Sequence, residues 1–423
     1  VKKNILSFFL LFLPFGISAQ FFHTPSLLLP YIENAPAIES RAAVLIDAAT
    51  GALIFSKNPN EEIPPASLTK MMTMHLLMKE IREGRACYDE LVPITVESWA
   101  QNQPPHSSLM FLEPGQIVTL REILLGLAVP SGNDAAVAAA LHISPTVSDF
   151  TRLMTMEAQR MGLNVTRFAD PSGFSPLSMT TADEFAFFTY QYIRIHPNSM
   201  RDFHSHTSFA FPLAANVPER NRNNVNTIVQ YNRNSLLRTF PEVDGLRTGF
   251  IPASGFNIAL TAKREQTRFI LVLLGAHSHQ IRHEDGTNLL NWALDSFKTV
   301  RITMSQLNPG SWQTQRLWKG RDNNAQIRIN SEQLTMTNDQ NKYEEIIFTS
   351  PVNRANRLFY EPVITERLIA PLPANHHVGY IVISDEYGEL KRIELVTARA
   401  HDRGNLFRRM WHSILLFFRR SSQ

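Results

Sequence analysis

Residues 42–274 carry strand patterns at both ends and helix patterns between them, which restricts the fold more than any other feature of this 423-residue chain. Ala42-Ala43-Val44-Leu45-Ile46-Asp47 and Ala52-Leu53-Ile54-Phe55 read as a hairpin whose turn ends in Thr50-Gly51. Strand patterns return at 243–247, 256–262 and 268–274, followed by a helix over 281–297. Helical stretches fill the middle, at 66–81, 120–128, 134–142, 149–161 and 182–195. A strand must bury a face against other elements, so the two ends are expected to meet in a mixed sheet with helices packed on it. The first helix is apolar around most of its circumference, through Met71, Met72, Met74, Leu76 and Leu77, which marks a buried helix. Its methionines read as core filling.

From about residue 298 the pattern changes to short strand-like runs, clearest at 316–318, 325–329, 345–348, 378–383 and 392–396, with Asp385 to Gly388 as a hairpin connection. A smaller all-β domain over 298–398 is therefore expected to follow the unit spanning 20–297. The two ends of the chain differ from both. Lys2 and Lys3 precede an apolar run that Ser7 and Pro14 interrupt, and Ile17-Ser18-Ala19 closes it, so 1–19 reads as an export signal cleaved after Ala19. The run is well short of the roughly 20 residues that span a bilayer. Within 399–423, Leu406, Phe407, Met410, Trp411, Ile414, Leu415, Phe417 and Phe418 share one half of a helical wheel, and arginines flank them. That is the pattern of an amphipathic helix lying in a membrane interface, with a helix docked on its own protein as the alternative.

The formal net charge of +3 comes from these ends, because Lys2, Lys3 and the tail arginines 403, 408, 409, 419 and 420 outnumber it. The chain between them is net acidic, so nucleic acid is not an expected partner. Cys87 is the only cysteine, which excludes an intrachain disulfide. His204-x-His206 and His277-x-His279 have no Asp, Glu or Cys at ligand spacing and read as exposed loop histidines. With no glycine-rich phosphate loop either, neither a metal nor a cofactor is expected.

Chemistry enters with Ser67-Leu68-Thr69-Lys70, which sets a hydroxyl and an amine one helical turn apart. One S-x-x-K is weak evidence in a chain this long. Two further triplets add to it. Ser131-Gly132-Asn133 stands at a helix entrance, where helix capping is the plain explanation. Arg247-Thr248-Gly249 ends a strand pattern, putting a cation and a hydroxyl at a sheet edge where glycine permits close backbone approach. Ser56-Lys57-Asn58 also fits S-x-N but precedes Ser67 in a loop.

In this order the three triplets resemble the S-x-x-K, S-D-N and K-T-G set of penicillin-binding proteins and serine β-lactamases. Pro65 to Thr73, His106-Ser107-Ser108-Leu109-Met110-Phe111-Leu112, Ser131 to Ala135 and Asn232-Arg233-Asn234-Ser235-Leu236-Leu237 are similar to the low-molecular-mass D-alanyl-D-alanine carboxypeptidases. The resemblance implies an α+β fold: a β-lactamase/transpeptidase-like catalytic domain with an antiparallel sheet flanked by helices, then a small all-β domain and a C-terminal amphipathic helix. It implies that Ser67 is the acylated nucleophile, Lys70 its base and Ser131 a proton relay. Asn133, Arg247, Thr248, Gly249 and Arg233 would bind substrate, with backbone amides of Ser67 and Phe250 as oxyanion donors. Burial and the neighbouring Arg247 would keep Lys70 neutral.

The substrates implied are peptidoglycan stem peptides ending in D-Ala-D-Ala, and β-lactams would inhibit by acylating Ser67. The site of action would be the periplasm, at the outer face of the inner membrane, with residues 403–420 on the membrane surface. Arginine replaces the family's usual lysine at 247, and Phe250-Ile251 makes the lip of the pocket more apolar. A β-lactamase or DD-endopeptidase on the same scaffold and a non-catalytic wall-binding protein are the alternatives. Against the first, no Glu stands in an E-x-x-L-N setting after Ser131.

Overall fold

Two apolar cores lie on opposite faces of one sheet, and the alternation along its first strand shows why. In chain order the elements are α1 (Leu29–Ile32), β1 (Ala42–Asp47), β2 (Leu53–Lys57), α2 (Lys70–Arg82), α3 (Leu120–Ala128), α4 (Asn133–Ile143), α5 (Val147–Arg160) and α6 (Ala182–Ile195). The ribbon β3 (Ser208–Phe211) and β4 (Ile228–Tyr231) follows, then the single turn α7 (Leu236–Thr239), β5 (Val243–Ile251), β6 (Gly255–Arg264), β7 (Thr267–Ala276) and α8 (His279–Ser296). Ala42, Val44 and Ile46 of β1 enter the core shared with α2 to α6, while Ala43 and Leu45 enter the core under α8. The computed structural model describes residues 21–336, 344–364 and 367–420.

The sheet order is β2-β1-β7-β6-β5. Every pairing is antiparallel, so the sheet is not mixed. Successive strands β5, β6 and β7 are joined by short turns, and such neighbours run in opposite senses, whereas a parallel pair needs a long crossover. The helices from α2 to α6 all fall in the one excursion between β2 and β5. β5 also continues to Ile251, four residues past the strand pattern, because Thr248 and Gly249 carry little apolar signal yet pair with Ile258 and Asn257. The buried helix α2 contains every residue from Lys70 to Met78 in the interior. His75, its one imidazole, is accommodated by Glu157 Oε1 and His196 Nε2, each at 3.0 Å.

The second unit contains β8 (Phe297–Thr303), β9 (Thr314–Arg316), β10 (Asn324–Ile329), β11 (Thr335–Met336), β12 (Glu344–Pro351), β13 (Phe359–Ile364), β14 (His377–Asp385) and β15 (Gly388–Thr397). They form two sheets, β13-β14-β15-β10-β9 and β11-β12-β8, around a core that includes Ile302, Phe348, Ile381, Ile393 and fully buried Trp312. The handover between cores falls inside β8, where Phe297 packs under α8 and Val300 packs in the β core. Asp47 at the end of β1 fastens the two units, since its Oδ2 accepts hydrogen bonds from Thr299 of β8 at 2.8 Å and Thr349 of β12 at 2.9 Å.

The last helix, α9 (Leu406–Arg420), touches the β unit through its polar side. His412 Nδ1 accepts from the Lys319 amide at 2.8 Å, and Arg408 Nη2 donates to the Asp322 carbonyl at 3.1 Å. Leu406, Phe407, Met410, Trp411 and Ile414 stay exposed. Among the described residues no helix is long and apolar enough to cross a membrane. The export-signal reading falls on 1–19, outside the described residues.

A further sequence expectation fails inside the first unit. His204 is fully buried, with Nε2 at 2.8 Å from the Tyr192 hydroxyl, because the turn that carries it packs against β5. Burial holds its imidazole down, to a pKa of about 3. Its neighbour His206 is exposed, as are His277 and His279, the latter as the first residue of α8 and not in a loop.

Candidate active site

After Pro64-Pro65 the chain enters α2 through a 3-10 turn over Ala66–Thr69. In such a turn side chains three apart eclipse one another. Lys70 Nζ accordingly lies 3.1 Å from Ser67 Oγ. The turn is held from outside: the Asn257 side-chain amide of β6 donates to the Pro64 carbonyl at 2.9 Å, and Arg247 Nε donates to the Ser67 carbonyl at 3.2 Å.

Ser131 and Asn133 approach from the α3–α4 connection. Ser131 has φ +72°, the left-handed region that non-glycine residues seldom occupy, and its side chain is buried. The cap position of α4 is Gly132, and neither triplet side chain caps the helix. Asn133 turns inward instead. Its Oδ1 accepts from Lys70 Nζ at 2.7 Å, and its Nδ2 donates to Ser107 Oγ at 3.0 Å. Asp134 fixes the facing loop by accepting from the Met110 and Leu112 amides at 2.8 and 3.0 Å.

β5 forms the third wall. Gly249 stands so close to the Ser67 turn that a Cβ there would lie 2.9 Å from the Pro65 carbonyl oxygen and 3.1 Å from the Ser67 amide nitrogen. Arg247, two residues away and therefore on the same face, is buried. Its Nη1 donates to the Leu127 carbonyl and, at 2.9 Å, to that of Ala128. Nη2 is buried with no hydrogen-bond partner among the described residues. Burial, then the positive charge of Arg233, lowers the Arg247 pKa to about 9, which leaves it charged at neutral pH. Arg233 is exposed, Thr248 half-buried, and Phe250 exposed with its ring centroid 4.3 Å from that of Phe256.

A fourth element was not legible from the motifs. The Ser172 carbonyl, in the loop between α5 and α6, accepts from Lys70 Nζ at 2.8 Å. The only hint in the sequence is the turn signal of Asp170-Pro171-Ser172-Gly173.

Lys70 is thus fully buried with three neighbours: a hydroxyl and two carbonyl oxygens. Burial first and the Arg247 charge second push its pKa well below the ordinary lysine value, while Asp170 and Asp134 act in the opposite direction. A neutral amine has two N–H bonds and one lone pair. The Asn133 and Ser172 oxygens can only accept, so they take the two N–H bonds, and the lone pair is left facing the Ser67 hydroxyl. In its neutral form, an amine so placed could accept the proton of the Ser67 hydroxyl. Among the described residues, no group of three His, Cys, Asp or Glu side chains is placed to hold a metal ion.

The chain is similar to known proteins over most of its length. The family model described as D-alanyl-D-alanine carboxypeptidase, peptidase S11, matches residues 30–278. A D-alanyl-D-alanine carboxypeptidase of Salmonella typhimurium, DacD, is 31% identical over 386 residues, covering 90% of this chain and 91% of the relative. DacC of Escherichia coli, of the same description, is 28% identical over 391 residues, 91% of this chain and 90% of the relative. Among solved structures, penicillin-binding protein 5 from Haemophilus influenzae superposes with a TM-score of 0.69 at 27% identity, covering 87% of this chain and 99% of that one.

Proposed function

The chain belongs to the peptidase S11 family of D-alanyl-D-alanine carboxypeptidases, and on that premise we propose that it removes the terminal D-alanine from peptidoglycan stem peptides through an acyl-enzyme at Ser67. The observation that carries this reading is the buried Lys70 amine, 3.1 Å from Ser67 Oγ and flanked by two acceptor-only oxygens. Ser67 Oγ attacks the carbonyl carbon of the penultimate D-alanine while its proton passes to Lys70. The C–N bond then breaks and the proton passes from Lys70 to the leaving amine, with Ser131 in the relay role that the family resemblance implies. Water releases the shortened peptide from Ser67. The amides of Ser67 and Phe250 receive the oxyanion, a role that the close approach of Gly249 to the Ser67 amide supports. Asn133 aligns the peptide. Thr248 and exposed Arg233 hold the terminal carboxylate, and the buried Arg247 guanidinium supplies positive charge beneath it.

Penicillins enter the same chemistry as acylating inhibitors. Slow release is expected, because Asp134 and Asp170, the carboxylates that act on Lys70, are engaged by backbone amides and not free to activate water. The purified protein should release D-alanine from a pentapeptide ending in D-Ala-D-Ala and leave cross-linked dimers intact, as measured by chromatography of the products. Cleavage of dimers at a comparable rate would make it an endopeptidase.

The substrate lies outside the cytoplasm, in keeping with the export reading of residues 1–19, and α9 would hold the enzyme at the membrane surface. Supporting this, the polar side of α9 contacts the β unit while its apolar side chains face outward, the reverse of a helix packed on its own protein. The full chain is expected to sediment with vesicles containing anionic lipid. A Phe407→Ser/Trp411→Ser double variant should lose most of that association, and equal sedimentation of the two proteins would remove α9 as the anchor.

A further inference from the structure

The Ser172 carbonyl, one of the two acceptors that orient Lys70, belongs to a loop without regular secondary structure. Something must fix that loop to within a fraction of an ångström, and its own first carboxylate does so. Asp170 Oδ1 accepts hydrogen bonds from the Ser172 amide at 2.7 Å, the Ser172 hydroxyl at 2.6 Å, the Gly173 amide at 2.7 Å and the Phe174 amide at 3.2 Å. Its Oδ2 accepts from the Ser175 amide at 2.7 Å. The loop so wound presses on the nucleophile turn. Gly173 has φ +77°, and a Cβ there would lie 1.8 Å from the Ala66 carbonyl oxygen. On the other side, Thr73 of α2 donates to the Pro171 carbonyl at 2.7 Å.

We infer that Asp170 is a positioning residue for the acyl transfer: its carboxylate folds residues 170–175 around itself, fixes the Ser172 carbonyl and thereby turns the Lys70 lone pair toward Ser67. The inference rests on the reading of Lys70 as the base for Ser67. Rotation about the Cε–Nζ bond offers the amine three staggered settings. With Asn133 as sole acceptor, the second N–H can turn toward Ser67 Oγ and the lone pair away from it. A second carbonyl at a fixed place removes that setting. Asp170 also contributes charge. It favours the protonated form of Lys70 together with Asp134 of α4, against Arg247 of β5, so it keeps the base from becoming too weak.

The test compares Asp170→Ala and Asp170→Asn in the full chain, reading the acylation rate with fluorescent penicillin from pH 5 to 10 and thermal unfolding in parallel. Asp170→Ala is expected to acylate about a hundredfold more slowly, the scale of an ångström's misplacement in an active site. Asp170→Asn keeps the Oδ1 acceptor and should recover the rate to within about threefold, again on the scale of a small misplacement. Because it removes a negative charge beside Lys70, it should also move the acid limb of its pH profile to lower pH. Unaltered acylation by Asp170→Ala would overturn the inference. If that variant does not fold, Asp170→Asn decides: a hundredfold loss or an unmoved acid limb overturns it. An unaltered protein that takes up no label refutes instead the parent reading of Ser67 and Lys70.

Discussion

Ser67→Ala is expected to abolish covalent labelling by fluorescent penicillin and to cut D-alanine release by about four orders of magnitude or more, the usual scale for loss of an acylated nucleophile. The fold should survive the change. The 3-10 turn is held through backbone carbonyls, Pro64 by Asn257 and Ser67 by Arg247, and these bonds do not involve the Ser67 hydroxyl. Thermal stability is therefore expected to stay within about 1 kcal/mol of the unaltered protein. Labelling that persists in a folded Ser67→Ala protein would show that another group is acylated and remove Ser67 as the nucleophile. A folded protein that neither labels nor releases D-alanine supports the assignment, because the variant differs only by one oxygen.

Sequence periodicity located the helices well where one face is buried and the ends carry plain signals. The 120–128 and 182–195 patterns coincide with α3 and α6, and Thr119 and Thr181 cap them as side-chain acceptors. It failed where pairing partners, not local pattern, decide structure. The ribbon of β3 and β4 went unread for that reason, and so did the last four residues of β5, whose strand character comes from pairing with β6. The candidate site divides along the same line. Side-chain chemistry at fixed spacing brought out Ser67, Lys70, Ser131, Asn133 and Arg247, but the Ser172 carbonyl could not be found that way, since any residue type supplies a carbonyl and only the fold says where it points. Arg247 shows the opposite limit. Its charge was legible, yet its commitment to the carbonyls of Ser67, Leu127 and Ala128 depends on the neighbouring backbone.

Lys70→Met tests the base on two readouts that respond to different physics. Acylation by penicillin should fall by about a thousandfold or more, near the upper range for removal of a general base. The second readout is stability against pH. Unfolded, the lysine takes up its proton near pH 10.4, whereas burial and Arg247 lower that value in the native protein. Between the two values the unfolded chain holds a proton that the native chain lacks, so stability of the unaltered protein rises with pH across that window. Below the native value both states are protonated and the contribution is flat. Lys70→Met removes the titrating group and with it this slope. Arg247, lowered to about 9 and interacting with Lys70 through its charge, stays charged in both proteins well below that value, so the two slopes are compared below about pH 8. Urea unfolding midpoints at a series of pH values between about 6 and 8 give the comparison directly. If both proteins gain stability with pH equally, Lys70 has an ordinary pKa in the folded state and is charged at neutral pH. It would then have no free lone pair for the Ser67 proton, and the activation step would have to come from another group.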